Sequence, residues 1–269
     1  MKKLLAIVLT LALAVTMFAA CGEKKNVAED TTLVIAKELT SEEYGIAFRK
    51  GSDLTAAVNS YIDDLKADGT LPALAEKYQL TLSESAPLEE EEAILNDIEE
   101  IKSKGKMIIG ITDYEPMNYK DDKGNWTGFD TEFALAVCEK LGVEAEFVEI
   151  DWDNKFVALE SRVIDCIWNG MTITDEVLKN TSCTKAYVKN AQVVVMSKSA
   201  AEEYKDVKSM KDLTFAVEAG SAAVGAAKDN GLENVVEAGT QTDAFLEVKS
   251  GSCDACIIDL TMANAMLKK

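Results

Sequence analysis

From Lys106 onward, short apolar runs of β-prone residues alternate with segments whose apolar residues recur at helical spacing. Strands are read over 107–111, 143–150, 163–167, 191–196, 213–217, 234–237 and 255–258. Helices are read over 130–141 and 154–160, from 221, over 243–248 and at the carboxyl end. Such alternation is the pattern of parallel sheets flanked by helices, so the chain is read as α/β. In sheets of this kind, ligands bind beyond the carboxyl ends of the strands. The part before Lys106 is read as two short strands, 33–36 and 44–48, and two helices. The first helix carries Leu54, Val58, Tyr61, Ile62 and Leu65, and the second spans 71–78. Residues 81–105 are the most charged stretch, with four consecutive glutamates at 89–92. They are read as a solvated linker with an exposed helix.

A chain of 269 residues, 48% hydrophobic, can bury one large core or two modest ones. The net charge of −19, with Arg49 and Arg162 the only arginines, argues against a nucleic-acid partner, because a duplex needs a basic face. There is no histidine, which removes His-based catalytic triads and His-ligated zinc. Cys253 and Cys256 have zinc-knuckle spacing, but no second such pair exists, so no metal is expected and no cofactor either. With Cys138, Cys166 and Cys183 these cysteines are read as buried free thiols, or with Cys166 and Cys183 as a disulfide.

The first twenty residues have the form of a secretory signal: Lys2 and Lys3, an apolar stretch over 4–18 interrupted by Thr10 and Thr16, then Ala19 and Ala20. That stretch is short for a spanning helix. A polar tether over 21–29 follows, and no later run approaches ~18 apolar residues, so a soluble extracytoplasmic body is expected. Cys21, placed directly after Ala-Ala, resembles the lipidated cysteine of a bacterial lipobox. That resemblance implies acyl chains at Cys21 and attachment to a membrane surface.

Several motifs together resemble the periplasmic-type solute-binding proteins of polar amino-acid ABC transporters. They are Ile111-Thr-Asp-Tyr-Glu-Pro-Met-Asn-Tyr119, Trp126-Thr-Gly-Phe-Asp130, Asn169-Gly-Met-Thr-Ile-Thr174, Lys185-Ala-Tyr187, Glu218-Ala-Gly-Ser221 and Ile258-Asp259. They stand in family order over 98–269. The segment 42–51 (EEYGIAFRKG), then Leu65-Lys-Ala-Asp-Gly-Thr70 and Ala75-Glu-Lys-Tyr78, resembles the carboxyl end of the same family, yet here it comes first. The resemblance therefore implies a circularly permuted chain, its old termini joined through 81–105. The fold implied is α/β and periplasmic-binding-protein-like, with two lobes joined by hinge crossovers near 189–193 and 38–44. Lobe 1 would hold 45–190, and lobe 2 would hold 191–269 plus 30–44, closing on the ligand by a hinge motion.

Carried over position by position, the resemblance also implies a binding set. Tyr114 and Trp152 would offer aromatic faces to the ligand. Asn169, Gly170, Met171 and Thr172, with Ser221 and Ala222 after Gly220, would meet its carboxylate at helix starts. Asp259 would hold its α-ammonium. Where the family usually has a carboxylate-clamping arginine, this chain has Val177. A lysine does not reproduce that fork. Asp113, Glu115, Glu218 and Asp259 make the expected cleft acidic, so the expected ligand carries an ammonium or other positive charge. The function implied is a monomeric extracytoplasmic receptor that captures an amino acid or related small solute and delivers it to an ABC permease. A dehydratase-type enzyme on the same fold and a ligand-sensing module are the alternatives.

Overall fold

The computed structural model describes residues 32–86, 88 and 92–268. The signal-like segment, Cys21 and the tether lie outside the described residues. In chain order the strands are β1 (Leu33–Phe48), β2 (Lys106–Ile111), β3 (Tyr119–Lys120), β4 (Trp126–Thr127), β5 (Glu144–Glu149), β6 (Cys166–Thr172), β7 (Ser182–Cys183), β8 (Val188–Ser197), β9 (Phe215–Glu218), β10 (Val235–Ala238) and β11 (Ala255–Asp259). The helices are α1 (Leu54–Ala67), α2 (Thr70–Tyr78), α3 (Asp97–Lys104), α4 (Phe129–Leu141), α5 (Lys155–Glu160), α6 (Asp175–Asn180), α7 (Lys198–Glu203), α8 (Ala222–Asp229), α9 (Gln241–Lys249) and α10 (Leu260–Met266).

One mixed sheet runs in the order β10-β9-β11-β8-β1-β6-β2-β5, with β7 added to β1, while β3 and β4 form a separate hairpin. Its two ends are parallel, β10/β9/β11 and β6/β2/β5. Its middle is antiparallel, because β1 and β8 run the length of one another between the two ends. This register makes the parallel halves run toward each other. β6 ends at Thr172, opposite Tyr44, which is itself opposite Val188. β11 ends at Asp259, opposite Gln192. The two carboxyl edges thus meet the β1–β8 pair only four positions of β8 apart, roughly 13 Å at the usual rise of a strand. Loops leaving those edges face each other across that gap.

The parallel strands form because their apolar runs are covered on both faces. All five residues of β11 are buried, as are Met107, Ile109 and Ile111 of β2. Helix α1 buries Leu54, Val58, Ile62 and Leu65, the stripe expected from their spacing. Helix α4 stops at Gly142, whose φ of 74° is the left-handed stop that glycine adopts without strain.

Three sequence expectations are corrected. The strands read at 33–36 and 44–48 are one strand of 16 residues, since backbone pairing with β8 continues through the polar stretch between them. Register shifts at Ile35/Lys37 and Glu38/Thr40 mark irregularities along that pairing. The strand read at 163–167 lies further on, at Cys166–Thr172, because its pairing with β2 begins at Cys166 while Val163 sits exposed in the preceding turn. The segment before β2 is not wholly solvated. Ile94 and Leu95 donate their amides to the Gly51 carbonyl, and α3 buries Ile101 and Asp97. Asp97 pairs with Arg49, which also donates to the Ile164 carbonyl, while Lys104 pairs with Asp165. The charge run hides a helix with one apolar and one ion-paired face.

All five described cysteines are free and buried. Cys166 and Cys183 lie on opposite sides of β1, opposite Phe48 and Ala47 respectively. Two strand spacings, about 10 Å, are too far for a disulfide.

Candidate ligand-binding site

A cavity of about 50 Å³ lies where the two carboxyl edges converge. Its walls include Tyr114 after β2, Trp152 before α5, the end of β6 from Asn169 to Thr172, Glu218 at the end of β9 with Ser221 and Ala222, and Asp259 at the end of β11. Such a volume suits a few water molecules, so a larger molecule enters only when the walls part. Asp113 is exposed and does not line the cavity, although it was expected there.

Asp259 takes the N-cap position of α10, but its side chain makes no capping bond. It turns instead to three amides. Oδ1 accepts from Asn190 and from Gln192 Nε2 at 2.9 Å, and Oδ2 accepts from Gln241. Glu42 stands beside it, sharing the Asn190 and Gln192 amides at 2.6 and 2.8 Å and accepting from the Thr172 hydroxyl at 2.9 Å. Burial, and next the Glu42 charge, push the Asp259 carboxyl well above its usual range. Glu218 is 3% exposed, and burial pushes it up to about 8 against the opposing charge of Lys155. Its Oε1 and the Oε1 of Gln192 have no hydrogen-bond donor among the described residues. Both residues line the cavity.

Several expected residues serve other neighbours. Asn169 to Thr172 belong to the strand, and the helix after them begins at Asp175, with Thr174 as its side-chain cap. The Gly170 amide donates to Asp130 at 2.6 Å, and the Asn169 amide donates to the Thr112 carbonyl at 3.1 Å. A Cβ on Gly170, whose φ is +54°, would lie 2.7 Å from the Tyr114 ring, so the missing side chain admits that ring rather than open space. Tyr114 is buried, its hydroxyl 2.5 Å from those of both Tyr44 and Thr261. Ser221 caps α8 through its bond from the Ala223 amide and donates to the Glu218 carbonyl. Met171 packs with Trp152 and Val177 against one apolar cluster.

Sequence reasoning did not single out Gln192, Gln241 or Lys155, all in the cavity wall. Gln192 could have been found only through register, opposite Asp259 on a crossover strand. Lys155 lies one helical turn after Trp152 and carried no signal of its own.

A model of bacterial extracellular solute-binding proteins, family 3, matches residues 107–245. The chain belongs to that family. The arginine-binding extracellular protein ArtP of Bacillus subtilis (strain 168) is 32% identical over 173 residues, which is 61% of this chain and 65% of that relative. This solute-binding protein thus spans less than two thirds of that relative's length. Holo ArgBP from T. maritima is 34% identical with a TM-score of 0.59, covering 63% of this chain and 76% of that one. An ancestral amino acid-binding protein, AncCDT-1, described as a precursor of cyclohexadienyl dehydratase, is 32% identical with a TM-score of 0.62, over 64% and 78%. The family-3 protein accordingly has the two-lobe α/β fold of amino-acid-binding proteins. That fold explains why its sheet is parallel at both ends and antiparallel in the middle.

Proposed function

We propose that this chain is an extracytoplasmic receptor that captures a basic amino acid, or a related ammonium-bearing solute, and delivers it to an ABC permease. The observation that carries the reading is the acidic wall. Glu218 and Asp259 are buried on one cavity, and two acceptors, Glu218 Oε1 and Gln192 Oε1, have no donor among the described residues. A cation with several N–H groups supplies both the charge and the donors, and charge-assisted bonds of this kind are the strong ones. That one similar protein is named for binding arginine, and that ArgBP from T. maritima is described as arginine-bound, supports the same class of ligand.

The lobes of the proposed receptor are 45–190 and 191–269 with 30–44, hinged where β1 and β8 cross. Its order is circularly permuted. The first described strand, β1, fits between β8 and β6, strands from later in the chain. Matches in chain order that cover 61–64% of the chain are what such a permutation leaves. Cys21 carries the lipid that holds the receptor to the membrane, and no helix among the described residues is long and apolar enough to cross one.

A thermal-shift screen across amino acids tests the ligand class, because a ligand that binds the native state raises its melting point. Arginine, lysine or histidine should stabilise the protein. A response to glutamate or aspartate alone would refute the acidic-cleft reading. The same screen on a re-ordered chain, 92–268 followed by 32–86, which keeps Asp97 and α3, should give the same shift; failure of that chain to fold would sink the permutation. Palmitate labelling should mark the intact protein and vanish in Cys21→Ala, and a label that persists there removes the anchor from Cys21.

A further inference from the structure

We infer that Lys155 holds the ligand's carboxylate, taking over the charge that the family pattern would place at Val177. The inference rests on the reading of the cavity as an amino-acid site. Lys155 opens α5, is 5% exposed and lines the cavity together with Val177, which is itself buried. Its Nζ donates to the Gly220 carbonyl at 2.7 Å and the Trp152 carbonyl at 3.2 Å. An ammonium has three donors, so one is left for another acceptor. It lies 5.1 Å from the centre of the Trp152 ring and 4.8 Å from that of Phe156, which fix its position from the apolar side.

Among the described residues, Lys155 has no counter-ion in contact. Glu176, Glu218 and Asp153 act on it only at longer range, and burial outweighs them, lowering its pKa. A buried charge without a partner is costly, and here the cost is relieved by an anion entering the cavity. Val177 is too short and apolar to supply that charge itself. Glu218 Oε1 and Gln192 Oε1 have no donor among the described residues, and Glu218, once ionised, repels a carboxylate and suits the ligand's cationic end. The cavity is therefore polarised, with an ammonium beside Trp152 and acids toward β9 and β11. The bond to Gly220 adds a consequence. Gly220 belongs to the loop after β9, whereas Lys155 belongs to the wall after β5, so the bond joins two elements that line the cavity. Gly220 also approaches so closely that a Cβ there would lie 2.7 Å from the Asp153 Cα. The cation that reads the carboxylate thus also ties the two walls, coupling capture to closure.

The test compares amino acids with their decarboxylated amines by titration calorimetry: arginine with agmatine, lysine with cadaverine, histidine with histamine. The wild type should prefer at least one amino acid over its amine by about 30-fold or more, the scale of a buried charge contact. Lys155→Met and Lys155→Gln should reduce that preference to within about threefold, by weakening the amino acid far more than the amine. Lys155→Arg should keep most of it, and Lys155→Met with Val177→Arg should restore it by returning a cation from α6. Equal binding of amino acid and amine by the wild type overturns the inference without any variant. So does a neutral variant that keeps the preference, or one that weakens both partners alike, which would mark Lys155 as packing. If no amino acid binds the wild type at all, the receptor reading falls with it, whereas a preserved preference removes only the role of Lys155.

Discussion

Replacing Asp259 with alanine is expected to weaken binding of a basic amino acid about 30-fold or more, since truncating one partner of a buried charge pair costs about 2–5 kcal/mol. The Asp259 oxygens are held by Asn190, Gln192 and Gln241, so the carboxyl group is oriented before the ligand arrives, and a cationic ligand favours its ionised form. Asp259→Asn should lose nearly as much, because it keeps the shape and removes the charge. Trp152→Ala should act less sharply, and Cys253→Ser, outside the cavity, should leave binding nearly unchanged. Calorimetry on folded variants measures all four; an unaltered affinity in Asp259→Asn would remove the ammonium contact from this residue. The pH dependence has a definite sign. Glu218 rises from 4.5 to about 8 in the folded protein, so the folded state holds its proton more tightly than the unfolded chain does. That contribution is complete below about pH 4.5 and is lost as pH rises through about 8. The melting point of the unliganded protein should fall across this window, and less so in Glu218→Gln. A cationic ligand favours the ionised carboxylate, so it should bind more tightly as pH rises through the same window.

Arg49→Met is expected to destabilise the fold by about 3–5 kcal/mol, as breaking a buried ion pair from one side does. Arg49 is 3% exposed and lies between Asp97 of α3 and Asp165 before β6, each only 1% exposed. Removing the guanidinium leaves both acids buried, with Lys104 facing Asp165 and Arg162 only 3.4 Å from Asp97. It also strips a donor from the Ile164 carbonyl. Urea denaturation should show the midpoint falling with little change in slope. A loss below ~1 kcal/mol, the surface-pair range, would mean that α3 is not anchored through this network. Arg162→Ala, on the half-exposed side of Asp97, should fall within that smaller range.

Legible in the residues alone were the α/β class, most of the strand and helix order, and the strand ends from which Tyr114, Glu218 and Asp259 project. Those features are local. A strand covered on both faces must be apolar throughout, and its run stops where the chain leaves the sheet. The single length of β1 was not legible, because its polar middle is held by backbone pairing to β8, which no side-chain pattern records. Nor was the docked face of α3, whose buried Asp97 reads as one more charge in an acidic stretch until Arg49 is brought beside it. At the cavity, the neighbours are set by long-range packing. It put Gln192 opposite Asp259, gave the Gly170 amide to Asp130, turned Ser221 to capping α8, and set Lys155 among carbonyls and rings. Each of these depends on which residues distant in sequence meet. That is set by the register of two long antiparallel strands, and a shift of one position would turn every side chain on them to the other face.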